Sequence, residues 1–337
     1  MLLNEEECSK IRKIKSQVSA MISERAVLEA QKGKLLPSPY WSDFCGFFRY
    51  MMGLSEEYYG DLRLHTYHLD SDNYQRFYFG DPAIFRKNTS YDKLISRVPA
   101  KYRLGAPRIL GEFGYDFDGC TVNGSIVGFQ STVNTLYLQG VLPKLEGKKG
   151  RKFLLEIGVG YGCLAYQIKR ILDDATYVIV DLPETLLFSA SYLSLALPEK
   201  NICLYDSALP LVPEKASSYD FILLPNYLLP QLARMRFDLA LNTESFQEMT
   251  RAQLTDYLDF IQASCDLLYS KNKRAQEWNR QDIDVTSELS ERFILRGSPS
   301  PFDAVQMINV MAKSVAYILG LRTKPQKERE EYICVPK

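Results

Sequence analysis

At 337 residues the chain is long enough for one large or two modest domains, and its 46% apolar content is ordinary for a globular protein and ample for a core. Forty-one basic residues against 41 acidic ones give no net charge, which argues against a dedicated nucleic-acid binder. Seven cysteines, an odd number with no C-x-x-C, signal neither a disulfide framework nor a zinc site and point to free thiols in a reducing cytoplasm. Acidic residues Glu5, Glu6 and Glu7 stand where a secretory signal would be basic, and the longest apolar-leaning run, 186–197, is too short to span a bilayer.

In chain order, residues 4–32 read as a helix. Ile11, Ile14, Val18, Met21 and Leu28 recur at three- and four-residue steps, and Arg25 takes a slot where an apolar residue is expected. The spacing predicts a helix packed on the body of the protein, ended by Pro37 and Pro39. From 40 to 106 the sequence is aromatic-rich and irregular, including Tyr40, Trp41, Phe44, Phe47 and Phe48. Most of these rings are expected in the core of a helical subdomain, and some could pack on the apolar faces of a sugar. The two histidines of the chain, His65 and His68, fall here. A neutral imidazole suits a general base, and a structural role is the plainer alternative. Residues 111–123 read as turns around short strands, 130–138 as a helix, and Glu146 to Gly150 as a charged connector marking a boundary.

The connector leads to an apolar run, Phe153 to Ile157, then to glycines at alternate positions, Gly158, Gly160 and Gly162, then to Leu164, Ile168, Ile171 and Leu172 at helical spacing. Strand, glycine turn and helix make the first crossover of a nucleotide-binding α/β sheet. The spacing is not G-x-G-x-x-G, because Cys163 stands at its third position, and Glu156 precedes the first glycine by two residues. A second buried run, 175–181, ends in Asp181, 23 residues past Gly158 and near the distance at which an acid meets a ribose. Leu182, Pro183, Glu184 and Thr185 then begin a helix that Pro198 stops.

Two apolar runs compete for the third strand, 202–206 and 221–226, and the second is favoured because 237–242 then falls as the fourth. Asp206 and Asn226 are the rival adenine contacts. A polar loop, 243–249, follows the fourth strand at the carboxyl end of the sheet, where open α/β sheets bind ligands. Thr250 and Gln253 have the spacing of a capping box for a helix to about 267, and 267–270 reads as the fifth strand. Farther on, 292–296 reads as a strand, 302–319 as a helix, and 332–335 as a last edge strand.

The chain resembles a family of bacterial sugar O-methyltransferases associated with surface-polysaccharide gene clusters, within the class I S-adenosylmethionine (SAM) methyltransferases. The resemblance covers residues 105–275. It rests on Gly114-Tyr115-Asp116 through Val122-Asn123, on Gln130, on the Glu156-to-Gly162 turn, on Asp181-Leu182-Pro183-Glu184-Thr185, on Asn242-Thr243-Glu244-Ser245-Phe246-Gln247-Glu248-Met249 and on Tyr269-Ser270-Lys271-Asn272.

It implies an α/β fold with a Rossmann-like seven-stranded sheet and helices on both faces, plus a mostly helical, aromatic-rich N-terminal region over residues 1–104. The SAM-binding domain would be 105–337, with its core at 151–275. The cofactor would be SAM, held by Glu156, Gly158, Gly160, Gly162, Asp181, Asn226 and Asn242, and the acceptor a sugar or glycan hydroxyl held near Ser245 and Glu244. A sugar hydroxyl is a poor nucleophile while protonated. Glu248 is therefore the first candidate base, ahead of Glu244, His65 and His68. Its alternative role is to bond the start of the following helix. No tight Asp/His cluster asks for a metal. The rivals are a methyltransferase for another small molecule and a binding or scaffold protein of the same fold. The oligomeric state stays open.

Overall fold

Two sheets organise the described residues. β1 (Tyr115–Phe117) and β2 (Cys120–Val122) form an antiparallel hairpin. The main sheet holds β3 (Lys152–Ile157), β4 (Ala175–Asp181), β5 (Ile202–Leu204), β6 (Phe221–Pro225), β7 (Leu239–Thr243), β8 (Leu268–Lys273), β9 (Phe293–Gly297) and β10 (Arg329–Pro336). Their spatial order is β5-β6-β4-β3-β7-β8-β10-β9. The computed structural model describes residues 2–31, 35–66, 69, 91–207, 213–273, 283–297 and 329–337.

From β5 to β8 every pairing is parallel, and β10 runs antiparallel between β8 and β9. A parallel sheet must be covered on both faces, so its strands read as unbroken apolar runs. Leu154, Tyr177, Ile179, Leu223 and Leu241 point into one core, and Leu155, Ile157, Val178, Val180 and Leu224 into the other. The helices Gly124–Leu138, Cys163–Ile171 and Pro183–Ala196 cover the first face, and Arg251–Ser264 and Val285–Arg292 the second. This is a mixed, mostly parallel α/β sheet with helices on both faces.

The differences from expectation lie at the edges. The run 202–204 is not a rejected rival of β6 but an additional strand hydrogen-bonded outside it, which makes the sheet eight-stranded. The C-terminal strand is interior and not an edge strand, because β9 pairs along its outer side while β8 pairs along the other. The helix expected over 130–138 starts earlier, at Gly124, where the side chain of Asn123 caps the Ile126 N–H. Pro39 opens a helix, because its missing N–H is no loss in a first turn. The expected helix over 302–319 lies outside the described residues.

The N-terminal helix α1 (Glu5–Ala30) carries a capping box between Asn4 and Glu7. It buries Ile11, Ile14, Val18 and Met21 against the helix Pro183–Ala196. Arg25 follows on the same face and is 3% exposed. It donates two hydrogen bonds of 2.6 Å to Glu184, itself 1% exposed. The residue that breaks the apolar pattern of α1 is thus half of a bidentate ion pair whose partner follows Asp181 by three positions. The helix α2 (Pro39–Phe48) then lays Phe48 edge-on against Phe188, with ring centroids 5.2 Å apart.

Arg25→Met should strand the Glu184 carboxylate and cost about 3 kcal/mol, the low end for a broken buried pair, because Arg49 lies 3.6 Å from the same carboxylate. Adding Glu184→Leu should return most of that stability. Chemical denaturation of the single and double variants checks both values.

Candidate functional site

The order of the sheet reverses at β3: its successor β4 lies on one side and β7 on the other. Such a switch point opens a crevice beyond the carboxyl ends of the strands. The loops after β3 and β7 meet there, around a cavity of about 230 Å³. Its wall includes Gly158, Gly160, Asp181, Asn226, Glu244, Ser245 and Glu248. Seven of the residues singled out in the sequence thus share one cavity.

The glycines have separate jobs. A Cβ on Gly158, whose φ is 77°, would come within 2.4 Å of Ser245 Oγ, so the bare backbone lets the β7 loop close on the β3 turn. Gly160 also has positive φ, 59°, but a Cβ there would meet nothing within 4 Å, so it faces open space. Gly162 is not part of the wall. It precedes the helix Cys163–Ile171 and packs against Ser189 and Leu193.

Asn242 is fully buried and lies behind the wall. Its amide nitrogen donates to the Ile157 carbonyl, at 2.8 Å, and to Ser245 Oγ, at 2.5 Å. Its oxygen accepts from the Phe246 N–H and the Asn272 amide. A carboxamide has two N–H groups and two lone pairs, and all four are used. Asn242 therefore fastens the two loops together and has no bonding capacity left for a ligand. Glu244 follows in a left-handed conformation, φ 64°, which is uncommon for a residue with a side chain and turns the chain at the cavity wall.

Asp181 ends β4 and holds the glycine turn. One carboxylate oxygen accepts from the Val159 N–H and the other from Leu182, each at 2.7 Å. Burial raises its pKa to about 7, against the lowering effect of these donors. The Gly160 N–H also favours the carboxylate, and at most two of the four lone-pair sites of Asp181 remain for hydroxyl donors from the cavity. Asn226, after β6, is 4% exposed. Its amide nitrogen donates to the Leu35 carbonyl, which fixes the orientation of the group. Its oxygen is buried and has no hydrogen-bond partner among the described residues. An orphaned acceptor of this kind costs free energy unless a ligand supplies the donor. The rival, Asp206, follows edge strand β5 and is outside the wall.

Glu156 is also outside the wall, because the alternation of β3 turns its side chain into the core. It is 1% exposed and accepts from the Tyr177 hydroxyl at 2.8 Å. Burial raises its pKa to about 8. His65 is likewise away from the cavity, in contact with the Tyr50 hydroxyl at 3.0 Å, and burial lowers its pKa. His68 lies outside the described residues.

Glu248 does reach the cavity. Burial, and then the nearby Glu244, push its pKa up to about 8. Its Oε2 accepts from the indole N–H of Trp41 at 3.0 Å. That contact was not foreseeable, since nothing in the sequence pairs residue 41 with residue 248. The N-terminal segment in fact forms one wall, with Leu36, Pro37, Ser38, Tyr40 and Trp41. The Leu35 and Leu36 carbonyls accept from Asn226 and Gln253. Leu35, buried at φ 56°, anchors the segment in the core beneath. Among the described residues no group of three or more His, Cys, Asp or Glu could hold a metal ion. No described helix is long and apolar enough to cross a membrane.

No family model matches the sequence, and no curated protein matches it. Among solved structures, the magnesium protoporphyrin IX methyltransferase from Synechocystis PCC 6803 with bound SAM is 11% identical, covers 76% of this chain and 98% of its own, and has a TM-score of 0.35. The plantazolicin methyltransferase in complex with SAH is 10% identical over 82% of this chain and 99% of that one, at 0.35. The mitomycin 7-O-methyltransferase is 9% identical over 64% of this chain and 57% of that one, at 0.34.

The buried Glu156 carboxyl has a pH consequence. An acid whose pKa folding raises stabilises the fold in its protonated form. Its contribution is full below the ordinary 4.5 and is lost as pH climbs through about 8. Glu156→Gln keeps the Tyr177 contact without the titration. Thermal unfolding should show parent and variant close below about pH 4.5 and the variant increasingly the more stable from there to about pH 8. Parallel curves would remove Glu156 as a source of the slope.

Proposed function

We propose that this chain is a SAM-dependent O-methyltransferase acting on a sugar hydroxyl, as a nucleotide sugar or within a glycan. The observation that supports it most is the convergence of four features on one cavity at the switch point of the sheet: the open backbone at Gly160, the Asp181 carboxylate, the orphaned Asn226 oxygen and the raised carboxyl of Glu248.

The residues present fit the cofactor. Asp181 has lone pairs to spare for the two ribose hydroxyls, and Asn226 presents an unpaired acceptor suited to the amino group of adenine. Gly158 and Gly160 offer backbone against which the methionine portion can lie. When bound, SAM supplies an electrophilic methyl on a good leaving group. The protein's part is to align the acceptor oxygen with it and to take the hydroxyl proton. Glu248 is the base in this reading, and Ser245 and Glu244 line the acceptor side. Tyr40 and Trp41 provide aromatic surface next to that carboxylate, which favours an acceptor with an apolar face ringed by hydroxyls.

Asp181→Asn should weaken SAM by about 1.5–3 kcal/mol, the range for hydrogen bonds to a charged group. Titration calorimetry reads this directly, and unchanged affinity would take Asp181 out of the ribose site. The deciding experiment is methyl transfer from labelled SAM across a panel of nucleotide sugars and glycans. Glu248→Gln should lower turnover at least a hundredfold, roughly the contribution of a general base, with SAM affinity little changed. Because Glu248 must be ionised to act, parent activity should rise with pH toward about 8. Transfer only to other small molecules would replace the sugar assignment, and SAM binding without transfer to any acceptor would favour a binding protein.

A further inference from the structure

The N-terminal region brings a donor to the candidate base from the far end of the chain. The indole N–H of Trp41 in α2 meets Glu248 Oε2 at 3.0 Å. An indole is a donor only, so it needs an accepting oxygen on Glu248, and its bond is stronger to the ionised carboxylate than to the neutral acid. The ring is also fixed. It packs edge-on against Tyr40, at 5.7 Å between centroids, and tilted against Phe44 and Phe48, at 5.5 and 6.3 Å. Ser38 caps the helix at the Trp41 N–H itself. Phe48 in turn rests on Phe188 of the helix that follows Asp181.

We propose that Trp41 is a positioning residue for Glu248: its indole N–H holds one carboxylate oxygen in place, so that α2 completes the acceptor side of the cavity. The inference rests on the reading of Glu248 as the base. Among the described residues the groups facing Glu248 are Trp41 and Tyr40 from α2, Glu244 and Gln247 from its own loop, and Lys273 at the end of β8. Trp41, Gln247 and Lys273 favour the ionised carboxylate, and Glu244 opposes it. Tyr40 stays neutral, its hydroxyl pushed up to about 12 by burial and by Glu248. Of the favouring groups, Trp41 alone comes from outside the sheet's own loops. It therefore makes the protonation of the base depend on the seating of the N-terminal region.

The test removes the hydrogen bond and keeps the shape. In the full chain, Trp41 is replaced by benzothienylalanine, in which sulfur stands for the indole N–H. Carboxyl carbon shifts of labelled glutamates are followed against pH, and the Glu248 signal is identified by its loss in Glu248→Gln. The apparent pKa of Glu248 should rise by about one unit, since a hydrogen bond to a charged group is lost. Trp41 is one of two tryptophans, so its indole N–H signal is identified by its absence in Trp41→Phe. That signal should shift with pH at the Glu248 midpoint in the parent and stand still in Glu248→Gln. A Glu248 pKa that stays or falls in the isostere, or an indole signal indifferent to pH, overturns the proposal. No acceptor is needed, so a failed methyl-transfer panel would sink the base assignment while leaving these shifts intact, and a successful panel without them would do the reverse.

Discussion

The site depends on a carboxamide that faces no ligand. Asn242 spends all four of its hydrogen-bonding positions on the Ile157 carbonyl, Ser245, Phe246 and Asn272. Those partners belong to β3, the β7 loop and β8, the elements that diverge at the switch point. The crevice exists because strand order reverses there, and it keeps a definite shape because one buried amide ties its lips. Asn242 is itself fully satisfied in a low-dielectric core, so it cannot leave without stranding its partners. The missing side chain of Gly158 belongs to the same device, since Ser245 fills the space a Cβ would need.

The second constraint is the way the N-terminal region is held over this crevice. Apolar contacts between α1 and the helix Pro183–Ala196 are strong but have no direction, and neighbouring registers would bury similar area. The Arg25–Glu184 pair is directional. Two buried charges contribute little net stability, but they make every misregistered arrangement expensive. Here register matters, because α1 leads into the segment whose carbonyls meet Asn226 and Gln253, and then to Trp41 and Glu248. One ion pair thus sets the position of a wall of the cavity more than ten residues further along the chain.

This division explains what the sequence made legible. Buried parallel strands are continuous apolar runs, so β3, β4, β6 and β7 announced themselves, and Gly158, Gly160, Asp181, Asn226, Ser245 and Glu248 could be placed from the strand ends they follow. Glu156 and Asn242 carried the right chemistry on the wrong side of the wall. Which way a side chain points at a strand end depends on where the strand stops, and local pattern does not fix that. Arg25 looked like a defect because a helical period shows only that a face is buried, not that the opposite face of the core holds a carboxylate. Trp41 was hidden in a run of aromatics, since the bond that singles it out joins residues 207 positions apart. His65 attracted notice by residue type alone, and its partner proved to be Tyr50.

Three acids in and behind the cavity, Glu156, Asp181 and Glu248, all have pKa values raised by burial, to between about 7 and 8. Desolvation dominates because no described cation forms an ion pair with any of them; the buried cations are spent elsewhere, Arg25 on Glu184, Arg63 on Glu112, Lys152 on Asp174 and Lys169 on Asp220. A site built this way is poised against anions and toward cations. A ligand carrying positive charge would be attracted to the ionised acids and would lower their pKa values in return, since an opposite charge within a few ångströms favours the charged form. A neutral ligand of the same shape would do neither. The proposed cofactor is a cation and its demethylated product has lost that charge at sulfur. The electrostatics that hold the first would therefore hold the second less well, and the ionised state of Glu248 would be favoured more before transfer than after it.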